Sequence, residues 1–167
     1  LILDTNPVIL LKSCQGWKKN NLPDFSIEKE YNKNVVGIDE VGRGPLAGPV
    51  ISSAVIFFDH EMNNDSFKLI NDSKKLSKIN RIKIFKLIYQ LQETKKIKFS
   101  LGMASVKEID ELNILEATKL SMKRAVIKLN RPPLPLIIDG KIDLKLRNYP
   151  SHGIIKGDQK SLSIATA

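Results

Sequence analysis

Cysteine is almost missing: Cys14 is the single one among 167 residues, so no disulfide can form within the chain. Its histidines and lone cysteine fall into no zinc-ligand spacing, which removes the zinc-finger and zinc-ribbon classes. No long hydrophobic run is present either. The first one, Val8 to Leu11, is far too short to span a bilayer. No secretory leader is recognisable, and with unpaired cysteine chemistry the expected setting is a reducing cytoplasm, away from any membrane. The absence of an internal repeat or low-complexity tract excludes a solenoid. The chain does not open on Met, and Ser161-Leu-Ser-Ile-Ala-Thr-Ala167 reads as a helix stopped in mid-pattern, so a C-terminal truncation is expected.

What is present is the balance of one globular domain, with 42% hydrophobic and 27% charged residues. A domain of this length buries roughly 70% of its unfolded surface, enough for a core without covalent staples. Lys and Arg number 27 against 18 Asp and Glu, a net charge of +9. Such a surface suits a polyanion, because each basic contact to a phosphate releases condensed counterions.

Residues 1–34 are polar and irregular and are expected to form an N-terminal extension, with the folded domain over 35–167. Within that domain Val35 to Ile38 and the β-branched run Val50 to Phe58 read as strands. Ser77 caps a helix whose apolar positions are Ile79, Ile82, Phe85, Ile88 and Leu91. Ile97, Phe99, Leu101 and Met103 alternate with Lys98, Ser100 and Gly102, as in a half-buried strand. Ser105 with Glu108, and Asn113 with Glu116, form two capping patterns, the second opening a helix to about Leu129. Leu136 to Asp139 and Gly153 to Lys156 complete the strands, and a helix starts near Gln159. The order β-β-α-β-α-β-β-α mixes hairpins with crossovers and implies an α/β sheet covered by helices.

Four carboxylates stand out by position. Asp39 and Glu40 end the first strand, Asp139 ends a later one, and Asp158 follows the last; strand ends are where open α/β sheets keep their chemistry. Neighbours on a strand point to opposite faces, so Asp39 and Glu40 share a site only if the strand ends or bulges there, which the following Gly42 would permit. If all four converge, mutual repulsion raises their pKa values, and divalent cations with oxygen ligands are the economical relief. Two such ions about 3.5–4 Å apart can hydrolyse a phosphodiester. The loop Gly42-Arg43-Gly44-Pro45-Leu46-Ala47-Gly48-Pro49 is no dinucleotide fingerprint, since the third glycine is one place late and a strand follows. Its glycines leave the backbone open to a ligand, with Arg43 available for a phosphate.

Several blocks carry a resemblance. Val36-Gly-Ile-Asp-Glu-Val-Gly-Arg-Gly-Pro-Leu-Ala-Gly-Pro-Val50, Asp72-Ser-Lys-Lys-Leu-Ser77, Ile109-Asp-Glu-Leu-Asn-Ile-Leu115, Met122-Lys-Arg-Ala125, Ile138-Asp-Gly140 and Ile155-Lys-Gly-Asp-Gln-Lys-Ser161 follow one another in order. Together they resemble bacterial ribonuclease HII, a type 2 ribonuclease H, over about Asp24 to Ala167. The resemblance implies a ribonuclease H-like mixed sheet flanked by helices. It also implies an endonuclease of replication and repair that cuts the RNA strand of RNA–DNA hybrids, and cuts 5′ of ribonucleotides embedded in duplex DNA, leaving 3′-hydroxyl and 5′-phosphate ends.

By the same resemblance Asp39, Glu40, Asp139 and Asp158 are the catalytic ligands of two divalent ions, Mn²⁺ or Mg²⁺. Gly42, Arg43 and Gly44 read the ribose 2′-hydroxyl, and Lys74 and Lys75 contact phosphates. A monomer acting in the cytoplasm is expected. Family members continue into an Arg-Asp pair and a tyrosine that packs on the deoxyribose, both beyond Ala167. Two other classes compete: a nucleic-acid binder without catalysis, which would gain by losing the carboxylates, and a two-metal nuclease of DNA, for which the 2′-hydroxyl loop would have no purpose.

Overall fold

A computed structural model of the chain describes residues 22–31, 34–45, 47–62, 67, 70 and 77–167. Lys74 and Lys75 lie outside the described residues. Five strands, β1 (Val36–Val41), β2 (Val50–Phe57), β3 (Ile97–Ala104), β4 (Leu136–Asp139) and β5 (Ser151–Ile154), form one sheet in the order β3-β2-β1-β4-β5. The hairpin β1-β2 and the pair β2-β3 are antiparallel, whereas β4 joins β1, and β5 joins β4, in parallel. The helices among the described residues are α1 (Lys78–Glu93), α2 (Val106–Leu112), α3 (Ile114–Lys128) and α4 (Leu162–Thr166); α1, α3 and α4 pack on the sheet, and α2 packs on α3.

The two central parallel strands are apolar on both faces, as a sheet sandwiched between helices requires. Leu136, Ile137 and Ile138 are fully buried, each contributing about 1.5–3 kcal/mol of transfer free energy. On one face Val36, Ile38, Ala54 and Ile138 meet Met122, Ala125, Val126 and Leu129 of α3. On the other, Val55 and Phe57 meet Ile84 and Leu91 of α1, Leu162 of α4, and Phe25 from the N-terminal segment. Both capping patterns form: Ser105 and Glu108 bond reciprocally at the start of α2, and Asn113 caps α3 from a backbone with φ +73°.

Three expected details are corrected. Only Leu91 of the five apolar positions assigned to α1 is buried, while Ile79, Ile82 and Phe85 are exposed. A strict three-residue repeat advances about 300° per step at about 100° per residue, so it winds around the helix; Ile84, Leu87, Ile88 and Leu91 make the true stripe. In β3 the buried residues beyond Phe99 are Ser100, Gly102 and Ala104, and Leu101 and Met103 are exposed. α3 lies so close there that a Cβ on Gly102 would come within 3 Å of the Ser121 carbonyl oxygen, and Ser100 Oγ donates to the Ala125 carbonyl at 2.7 Å. Small residues, not large ones, face the helix. Finally, β5 ends at Ile154, a 3-10 turn spans Gly157–Gln159, and α4 starts only after a Ser161 cap. The reason is Lys156, whose φ of +56° turns the chain off the strand line.

Candidate active site

β1 and β4 run side by side with Val36, Gly37 and Ile38 opposite Leu136, Ile137 and Ile138. The next residues along are Asp39 and Asp139. Parallel strands in register pleat in phase about 4.8 Å apart, so these two carboxylates leave the same face of the sheet side by side. Asp158 is brought to them by the 3-10 turn, because the Gly157 N–H donates to Asp139 Oδ1 at 2.7 Å. A Cβ on Gly157 would lie 2.7 Å from Ile164 Cδ1 and 3.3 Å from that same oxygen, so a larger residue would have to displace the end of the Ile164 side chain for the turn to dock this closely.

Glu40 arrives differently. β1 neither ends nor bulges at this point: Asp39, Glu40 and Val41 pair regularly with Ser53, Ser52 and Ile51. Alternation sends Glu40 to the other face, yet it still borders the same cavity, at the rim of the sheet. Its N–H donates to Asp39 Oδ1 at 2.7 Å, and Arg43 donates to its Oε1 at 3.1 Å.

Asp39, Glu40, Asp139 and Asp158 therefore line one cavity of about 440 Å³. Its far wall comes from α1 and includes Arg81, Ile84 and Phe85; its end is closed by Ala165 and Thr166 of α4 and by Ala167. Among the described residues, no three acidic, histidine or cysteine side chains are gathered tightly enough to cage a single ion. The electrostatics is nonetheless one-sided. Burial, reinforced by the charges of Glu40, Asp139 and Asp158, pushes Asp39 up to about 7 in spite of the Glu40 N–H bond.

Gly42, Arg43 and Gly44 follow β1 at the rim, and of the three only Arg43 reaches into the carboxylate group, through Glu40. Gly42 has φ +104°, and a Cβ there would fall within 3 Å of the Pro49 carbonyl oxygen, so the turn demands glycine. Gly44 is free of both constraints: chain neighbours aside, no described residue lies within 4 Å of a Cβ built on it.

Arg81 was not singled out from the sequence. The signal was there: it sits one turn into α1, whose first turn carries no acid and where the helix dipole disfavours a cation. A charge placed against that field wants a reason, and the acidic cavity supplies one.

The geometry has counterparts. The Ribonuclease HII family model matches residues 36–167. A ribonuclease HII from Wolbachia pipientis subsp. Culex pipiens is 48% identical over 145 residues, which cover 87% of this chain and 69% of that protein. The chain belongs to the ribonuclease HII family. A family member from Jannaschia is 43% identical over 87% of this chain and 68% of its own. Among solved structures, ribonuclease H2 from Pyrococcus horikoshii superposes with a TM-score of 0.63 at 25% identity, over 80% of this chain and 68% of that one. Bst-RNase HIII in complex with Mn²⁺ has a TM-score of 0.60 at 20% identity, over 81% and 49%, a likeness of fold. The sheet is thus of the ribonuclease H-like kind, and ribonuclease HII proteins are hydrolases, endonucleases of the RNA strand in RNA–DNA hybrids. No helix among the described residues is long and apolar enough to cross a membrane.

Proposed function

We propose that residues 35–167 form a catalytic domain that hydrolyses the RNA strand of RNA–DNA hybrids and cuts 5′ of ribonucleotides embedded in DNA, leaving 3′-hydroxyl and 5′-phosphate ends. The observation that carries this reading is the β1-β4 register, which sets Asp39 beside Asp139 with the Asp158 turn hung on Asp139. Family membership supports the substrate class. The donor set fits divalent cations: four carboxylates border one cavity, all donors are hard oxygens, and burial together with the neighbouring carboxylates pushes Asp39 up to about 7, a charge excess that a cation would relieve. When bound, two Mg²⁺ or Mn²⁺ ions supply an activated water and stabilise the leaving oxygen of a phosphodiester.

The chain's own groups divide the rest of the work. Asp39 and Asp139, each carried by a strand whose preceding three residues are buried, hold the centre, while Glu40 and Asp158 close it from either side. Arg43 keeps Glu40 turned toward the rim and lies beside the Gly42–Gly44 backbone that reads the ribose 2′-hydroxyl, the group that tells RNA from DNA. Arg81 offers a phosphate contact on the opposite wall, and Lys74 and Lys75 add two more. The net charge of +9 draws the duplex in, although the cavity itself is acidic. A binder without catalysis would have no use for that acidic centre. We place the enzyme in the cytoplasm as a monomer acting in replication and repair.

Melting curves test the shared site. Asp39 is raised from 3.8 to about 7 by folding, so between those values the folded protein keeps a proton that the unfolded chain has lost. Stability without metal must therefore fall as pH rises from 4 to 7 and flatten above it. Mn²⁺ should raise the melting temperature more at pH 8 than at pH 5, because its ligands must be deprotonated. Asp39→Asn should abolish the Asp39 part of that decline. Superimposable curves in EDTA and Mn²⁺ at pH 8 would contradict a common site.

A further inference from the structure

Glu28 is an acidic side chain with no access to solvent, set in a 3-10 turn at Glu28–Glu30 ahead of the first strand. Its Oε1 accepts two bonds, from Ser161 Oγ at 2.6 Å and from the Ser163 N–H at 2.8 Å. Its Oε2 is buried with no hydrogen-bond partner, and among the described residues no cation pairs with it. Burying a carboxylate in this way is costly. The position of its two donors shows what the cost goes towards.

Ser161 and Ser163 bracket the start of α4, three and five residues after Asp158. The same short stretch is tied twice more to the N-terminal segment: the Leu162 N–H donates to the Asp24 carbonyl at 2.9 Å, and Asp24 forms a parallel bridge with Ser161. Inward, the Ser161 N–H donates to the Gly157 carbonyl at 2.9 Å, and the Gly157 N–H reaches Asp139. On its other side α4 is pressed onto β1, where a Cβ on Gly37 would lie within 3 Å of Ser163. Gly37 is two residues from Asp39. The Asp158 turn is thus suspended between Asp139, inside the cavity, and Glu28, behind it.

We propose that Glu28 is a positioning residue for the candidate metal centre: by holding Ser161 and Ser163 it fixes the 3-10 turn that presents Asp158 beside Asp139. The working unit then begins earlier than β1 and includes residues 24–28, which precede the family match at residue 36. The proposal rests on the reading of Asp158 as a metal-binding carboxylate. A carboxylate that serves only to cap α4 would affect the melting temperature and nothing else.

The test compares Glu28→Ala, Glu28→Gln and Asp158→Asn with wild type, well below their melting temperatures. Mn²⁺ binding is measured directly by calorimetry without nucleic acid, and steady-state cleavage of an RNA–DNA hybrid is measured alongside. Glu28→Ala should bind Mn²⁺ about 10–100-fold more weakly, the range found when a partner that orients a metal ligand is removed. It should lose kcat with the KM for hybrid within about twofold. Glu28→Gln, whose amide oxygen can take both bonds, should recover most of the loss. If Glu28→Ala does not fold, Glu28→Asp, which keeps the carboxyl group but withdraws the oxygen by one methylene, should show the same weakening. Wild-type Mn²⁺ affinity in Glu28→Ala or Glu28→Asp, while Asp158→Asn is impaired, would overturn the proposal. Wild-type affinity in Asp158→Asn itself would instead overturn the reading of the site on which it rests.

Discussion

Asp139→Asn is expected to lower the cleavage rate of an RNA–DNA hybrid by about 1000-fold or more, the scale on which a group acting as part of a catalytic unit is felt when removed. The reason lies in what the substitution leaves intact. Asn keeps an Oδ1 that can accept the Gly157 N–H, so the turn bearing Asp158 stays docked and the fold is preserved. Only the charge and one carboxylate oxygen, the one proposed to ligate a cation, are lost. With repulsion from Asp139 removed, the metal-free protein should be at least as stable as wild type at pH 8, since Asp139 is one of the charges that push Asp39 up. Binding to the hybrid should change little if Asp139 acts as proposed, as a cation ligand rather than a phosphate contact. The combination of lost turnover, retained binding and retained stability is the checkable outcome. It is read by single-turnover cleavage, a binding titration and a melt on the same preparation.

Gly44→Val should separate recognition from folding. Because, chain neighbours aside, no described residue lies within 4 Å of a Cβ at residue 44, that position has room for a side chain and the melting temperature should stay within about 2 °C of wild type. The side chain instead occupies the space through which the loop backbone would approach a sugar. Cleavage at a lone ribonucleotide in duplex DNA should fall about 100-fold or more, the order found when one preorganised donor is lost, with bulk duplex binding little changed. Gly42 is the contrasting neighbour. Substitution there strains φ and drives a Cβ into the Pro49 carbonyl, so loss of activity in Gly42→Val would accompany loss of stability. A Gly44→Val protein that cuts the single-ribonucleotide duplex at the wild-type rate would remove the loop from recognition.

Much of the site was legible because it is written in local grammar. Leu136-Ile-Ile-Asp139 is a four-residue apolar run ending in an acid, bounded by Pro135 and Gly140, and its shortness and its flanks favour a buried strand whose last residue emerges at the end of the sheet. The capping pairs at Ser105 and Asn113 are equally local. What escaped was set by packing between distant residues. Nothing in Ile97-Lys-Phe-Ser-Leu-Gly-Met-Ala104 says that α3 will press on Gly102 and reverse which face of the far half is inside. Glu40 looked able to join Asp39 only if β1 broke, whereas the structure keeps the strand regular and brings Glu40 to the cavity at the sheet rim. Glu28 lies 133 positions before the serine it binds, and no periodicity relates them. Arg81 carried a weak local signal, but its place in the cavity wall depends on how α1 packs against the sheet.

The most direct measurement is cleavage of three end-labelled duplexes of one sequence: all DNA, DNA with a single ribonucleotide, and an RNA–DNA hybrid, each with Mn²⁺ and with EDTA. The expected result is Mn²⁺-dependent cutting of the hybrid and of the single-ribonucleotide duplex, the latter on the 5′ side of the ribonucleotide with 3′-hydroxyl and 5′-phosphate ends, and no cutting of all-DNA. Equal cutting of the all-DNA duplex, or cutting that persists in EDTA, would contradict a metal-dependent centre that selects its phosphate by a neighbouring 2′-hydroxyl.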